Sequence, residues 1–128
     1  MLDKQTIEEN IKNWIKALES GEYTQGKWAL KDIFGTYCCL GLACEHVLGL
    51  EPKLSTPANR RFFFEEEQAG VLTRSQADQL GLNHSEGVYG ESSLVSDNDD
   101  YNRSFKDIAT IIRSQPDGLF KEHYNLDD

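Results

Sequence analysis

No apolar run in this 128-residue chain approaches the roughly 18 consecutive residues that cross a bilayer, so a membrane-spanning helix is excluded. The opening Met1-Leu2-Asp3-Lys4 lacks the charged-then-apolar pattern of a signal peptide. A cytoplasmic location with no membrane partner is therefore expected. Positive charge is also scarce: 13 Lys and Arg face 22 Asp and Glu, leaving a formal net charge of -9. An acidic surface repels phosphate, which argues against nonspecific nucleic-acid binding. A basic protein partner, or a small anionic ligand in a locally basic pocket, stays compatible with it.

Cysteine is sparse and clustered. Cys38, Cys39 and Cys44 are the only three, an odd number within seven positions and a poor disulfide framework. Reduced thiols in a cytoplasm are the simpler reading. Phosphate-binding glycine loops, dinucleotide fingerprints and serine-nucleophile elbows are missing from the sequence. So are repeats, linkers and low-complexity tracts.

What is present reads as one domain, 1–128, mainly α with a small β element (α+β). Ile7, Ile11, Trp14, Ile15 and Leu18 share one face of a first helix, which Asp3 or Thr6 can cap and Gly21 can end. Trp28 and Leu30 alternate with Lys27, Ala29 and Lys31, which suits a short strand, with a turn over Asp32–Gly35 and a return strand at Thr36–Cys38. A second helix is expected from about Cys39 to Leu48. Pro52 and Pro57 bracket a loop, and Thr73 with Gln76 has capping-box spacing. The polar stretch 83–103 reads as a loop, with strands near Gly87–Tyr89 and Ser93–Val95. Ser104 caps a last helix that buries Phe105, Ile108, Ala109 and Ile112.

Four features invite chemistry. A cysteine at a helix start, Cys38 or Cys39, faces the positive end of the dipole, which favours thiolate. With His84 and then Asn98 or Asp99 later in the chain, the order is that of papain-like and NlpC-like cysteine hydrolases. Against this stands the habit of cysteine to fill tight buried contacts, with Gly41 allowing close helix approach. A zinc site built from Cys38, Cys39, Cys44 and His46 fails on geometry, since Cys39 and Cys44 on one helix point about 140° apart. No metal and no cofactor is expected. The run Asp97-Asn98-Asp99-Asp100 opens like a calcium loop but continues with Tyr101, Asn102 and Ile108 where an acceptor, Gly and Glu are needed. Finally, Arg60 and Arg61 beside Phe62, Phe63 and Phe64 suit an anion or a stacked, nucleotide-like ring, or else ion pairs with Glu65–Glu67.

Several segments together resemble a family of short proteins, without established activity, that is common in bacteriophage genomes. They are Trp14–Gly26, the block Tyr37-Cys38-Cys39-Leu40-Gly41-Leu42-Ala43-Cys44-Glu45, Gln79–Leu82, the Asn98-Asp99 pair and Ser104–Ile112. The resemblance implies a phage or mobile-element setting and assigns no site residue. The leading expectation is a non-enzymatic accessory protein that binds a host protein or a small anionic ligand, to counter host defence. The alternatives are a cysteine hydrolase using Cys39, His84 and Asn98, and a structural homodimer. The expected contact surface is Cys38, Cys39, His84, Tyr89, Asn98 and Asp99, with Arg60 and Arg61.

Overall fold

The first helix, α1 (Lys4–Glu19), begins where Asp3 accepts the backbone N–H of Thr6 at 2.8 Å and buries Ile11, Trp14, Ile15 and Leu18 along one face. The structure is a computed structural model that describes residues 2–55, 60–65, 68 and 70–127. Pro57 falls outside that set, as do Glu66 and Glu67.

Two more helices complete the apolar centre. α2 (Cys39–His46) is buried on all sides from Cys39 to Cys44, and α5 (Phe105–Ser114) turns Phe105, Ile108, Ala109 and Ile112 inward. α1 packs against both, and the Trp14 indole N–H donates to the Cys39 carbonyl at 2.9 Å. The inward faces expected of the first and last helices are thus buried, with Ile7 and Val47 only partly buried at the margin. Gly41 does permit a close approach. A Cβ built there would lie 1.7 Å from the Leu30 carbonyl oxygen, so only glycine lets α2 lie against that backbone.

The β structure is small. β1 (Lys31–Asp32), β2 (Lys53–Leu54) and β3 (Arg61–Phe63) form an antiparallel sheet in the order β1-β3-β2, with Lys31 opposite Phe62 and Lys53 opposite Phe63. The strand expected at Lys27–Lys31 is shorter and later. Trp28 adopts φ 61, which breaks the extended chain and sends its ring outward while Leu30 is buried. The return segment makes only isolated bridges through Tyr37. Of the three phenylalanines, Phe64 is buried and Phe62 and Phe63 are half-buried.

α3 (Arg74–Gln79) starts at a complete capping box of Thr73 and Gln76, and α5 at one of Ser104 and Asp107. Between them the stretch read as a loop is ordered. β4 (Val88–Tyr89) and β5 (Ser92–Ser93) form a hairpin, and α4 (Leu94–Asp99) follows at once. The strand expected over Ser93–Val95 gives way to this helix because the Ser93 hydroxyl accepts the Ser96 N–H and caps it. After α5, Leu119 and Phe120 return to the core, Phe120 bridging to Leu82, and Tyr124 and Leu126 follow them inside. The fold is α+β, as expected.

Candidate functional site

The short helix α4 carries three consecutive buried polar residues, Asp97, Asn98 and Asp99. Six residues cannot form a stable helix alone. What holds this one is the set of partners each side chain meets.

Asn98 is wholly buried and uses both ends of its amide. Its Oδ1 accepts from the Gln25 amide at 2.8 Å and from the Cys39 backbone N–H at 3.2 Å. Its Nδ2 donates to the Gly26 carbonyl and to Asp99 Oδ1, each at 2.8 Å. One side chain thereby joins α4, the 25–28 segment and the first turn of α2. Asp99 Oδ1 also accepts the Trp28 backbone N–H at 3.0 Å. Asp97 turns the other way and accepts from the hydroxyls of Tyr89 and Ser92. Burial, and then the hydrogen bond to Asp97, push the Tyr89 phenol up to about 12, so it remains a donor throughout the neutral range.

Cys38 and Cys39 lie against this hub as buried thiols. The N–H groups of Leu40 and Gly41 at the start of α2 do favour the Cys38 thiolate, as helix polarity requires. Burial outweighs them and pushes the thiol up to about 11. Cys39 is driven further up, first by burial and then by its neighbours Cys38, Asp99 and Asp97, and its Sγ faces the Leu94 carbonyl at 3.7 Å. Burial raises Cys44 as well. All three are free thiols.

The hydrolase arrangement is not assembled. Asn98 holds the backbone of Cys39 rather than an imidazole. His84 is exposed, and its carbonyl accepts the Gly87 N–H. Among the described residues no hydrogen bond joins His84 to Cys39. The four residues weighed for zinc also diverge, because His46 turns to Tyr37 and Glu45 and stacks on Tyr23 at 4.3 Å between centroids. Arg60 and Arg61 stand apart from α4, at the sheet, where Arg61 lies opposite Asp32. Neither forms an ion pair with a carboxylate among the described residues. The expected surface is therefore only partly assembled: the turn of His84 joins the start of α4, whose Leu94 and Val95 N–H groups donate to the Gly87 and Glu86 carbonyls, whereas Arg60 and Arg61 lie at the sheet.

The hub has an outer rim that sequence reasoning missed. Trp28 is 65% exposed and Tyr101 62% exposed. The Lys27 ammonium bonds to the Asn102 side chain and sits 5.8 Å from the centre of the Trp28 ring. Gln25 ties this edge to the Arg103 carbonyl at 2.8 Å. Tyr89, Ser92, Asp97, Tyr101 and Arg103 line a shallow recess of about 370 Å³ beside it. Nothing in the local pattern marks Trp28 as exposed. The one available signal was Ser93 followed by Leu94-Val95, a cap before apolar residues, which would have located α4.

A family model described as Domain of unknown function (DUF8296) matches residues 4–53, which run from α1 to the first residue of β2 and include Trp28 and the Cys38–Gly41 turn but not α4. No curated protein and no solved structure matches the chain.

Proposed function

We propose that the chain is a binding protein rather than a hydrolase, and that the rim of α4 is its contact surface for a protein partner. The observation that carries this reading is the state of Trp28. Its backbone is held in the left-handed region at φ 61, a conformation that costs a non-glycine residue about 1–2 kcal/mol. A buried carboxylate, Asp99, fixes its N–H, and the ring nonetheless faces outward. Strain maintained by surrounding structure marks functional positions. Exposed tryptophan, tyrosine and arginine are the residue types that dominate interface energetics, and Trp28, Tyr101 and Arg103 supply all three.

The phage-type resemblance makes a host protein the proposed target, bound to counter a host process, and three free buried thiols support a cytoplasmic setting. The test is a side-by-side capture from host extract with the wild-type chain and a Trp28→Ala variant. One host protein should be retained by the first and lost from the second at equal folded concentration. Equal retention by both, or retention by neither, would refute the reading.

A further inference from the structure

The recess beside the α4 rim is built by the β4–β5 hairpin, by α4 and by the residues just after it. It is held in shape before anything enters. The Leu94 N–H donates to the Gly87 carbonyl at 2.9 Å, and a Cβ built at Gly87 would lie 2.8 Å from the Leu94 side chain, so the base of the hairpin sits directly on α4. A site already in its bound shape loses little to ordering on association.

Its charge is one-sided. Asp97 lines the recess from α4 and Glu91 from the tip of the hairpin. Asp97 is 3% exposed, and buried carboxylates are ordinarily paired with a cation. Here the Asp97 side chain accepts from two neutral donors, the hydroxyls of Tyr89 and Ser92. A carboxylate has about four acceptor positions, so roughly half remain open. Among the described residues neither Asp97 nor Glu91 forms an ion pair. Of the residues that line the recess only Arg103 is cationic, which leaves two carboxylates against one guanidinium.

The remaining wall is aromatic. Tyr101 is 62% exposed and Tyr89 is half-buried. The face of a tyrosine ring attracts a cation through its quadrupole, a guanidinium more often than an ammonium. A guanidinium is also planar and carries its donors in a fork that matches a carboxylate. Open acceptors and aromatic faces in one recess therefore ask for the same group.

We infer that the protein partner of the α4 rim seats an arginine side chain in this recess, its guanidinium taken by Asp97 and Glu91 beside the rings of Tyr89 and Tyr101. The inference rests on the rim being a protein-binding surface and adds the chemistry of what it binds: a basic segment, the complement of a chain with net charge -9. Arg103 repels a second cation, so one arginine is seated rather than a run of basic residues.

The probe is the capped peptide acetyl-Gly-Arg-Gly-amide, titrated into the full chain and read by amide chemical shifts. Its citrulline counterpart is the neutral isostere, and its glutamate counterpart reverses the charge. The arginine peptide should bind saturably, shift the amides of Tyr89, Ser92, Asp97 and Tyr101, and weaken with added salt. The citrulline peptide should bind about tenfold more weakly, and the glutamate peptide should not bind. Tyr101→Ala and Glu91→Gln, both at exposed positions, should each weaken the arginine peptide about two- to fivefold with the melting temperature unchanged. Asp97→Asn should weaken it most, and if that buried change unfolds the chain the two exposed variants decide the matter. The inference is overturned by no saturable shift, by equal binding of the citrulline peptide, or by wild-type affinity in both exposed variants. Trp28→Ala should bind the arginine peptide as the wild type does. Capture from host extract that fails while the peptide binds sinks the protein-partner reading and leaves only the affinity of the recess for a guanidinium. Capture that succeeds through Trp28 while the peptide does not bind sinks the arginine inference alone.

Discussion

Two regions of this molecule reach zero exposure by opposite means. The seam of α1 against α5 does it with Ile11, Ile108 and Ile112, side chains that ask only for space. The α4 hub does it with Asn98, whose every polar atom is engaged, flanked by Asp97 and Asp99. Apolar packing tolerates a swap of similar volume, whereas a buried polar centre fails when one partner is removed, because the groups it served are left unpaired. The hub is therefore the less tolerant of the two to substitution, and it ties together the segments it touches, above all the 25–28 segment with Trp28.

The sharpest contrast should come from near-isosteric changes at the two centres. Ile108→Val should cost about 0.5–1.5 kcal/mol, the usual range for losing one buried methyl. Asn98→Leu keeps the heavy-atom count and branching, yet it strands the Cys39 N–H and the Gly26 carbonyl, at about 1–3 kcal/mol each. Urea unfolding of both variants checks the order. Equal or reversed losses would mean that the hub is no more than ordinary packing.

The same contrast explains what could be read in advance. Stripes such as Ile11, Trp14, Ile15 and Leu18, and capping boxes such as Thr73 with Gln76, are local signals, and the helices they mark stand where they were expected. The hub is non-local. Asn98 meets Gln25, Gly26 and Cys39 from 59 to 73 positions away, and no local pattern reports such a meeting. A polar run with glycines at Gly87 and Gly90 therefore reads as a loop with two short strands; the strand at Val88–Tyr89 stands where it was expected, and the buried helix α4 was not legible. Asn98, Asp99 and Cys39 were legible as belonging together, but as a surface. Their burial, and the exposure of Trp28 that depends on it, were not.

A smaller effect concerns the bracket between β1 and the end of α2. Glu45 accepts from Lys31 at 2.8 Å and from the Tyr37 hydroxyl at 2.9 Å. Burial alone would raise its carboxyl, but these hydrogen bonds and the Lys31 charge outweigh burial and hold it below the ordinary value of 4.5. The unfolded chain then takes up the proton first as pH falls. The bracket's contribution is complete above that ordinary value and disappears as pH drops through the lower folded one. The group is partly exposed, so the contribution should stay under about 1 kcal/mol. Glu45→Gln should flatten the acid limb of a stability-versus-pH curve by that amount and leave the seam variants unaffected. An unchanged acid limb would show that the bracket holds nothing.

The central claim is that the hub exists to hold Trp28 outward in a strained conformation, and Trp28→Gly tests it most directly. Glycine relieves the left-handed strain of about 1–2 kcal/mol, offset by about 0.5–1 kcal/mol of extra freedom in the unfolded chain. Urea unfolding of this variant should therefore give a stability equal to or slightly above the wild type, while capture of the proposed host partner is lost. A clear loss of stability, or a partner retained at full strength without the indole, would contradict the account.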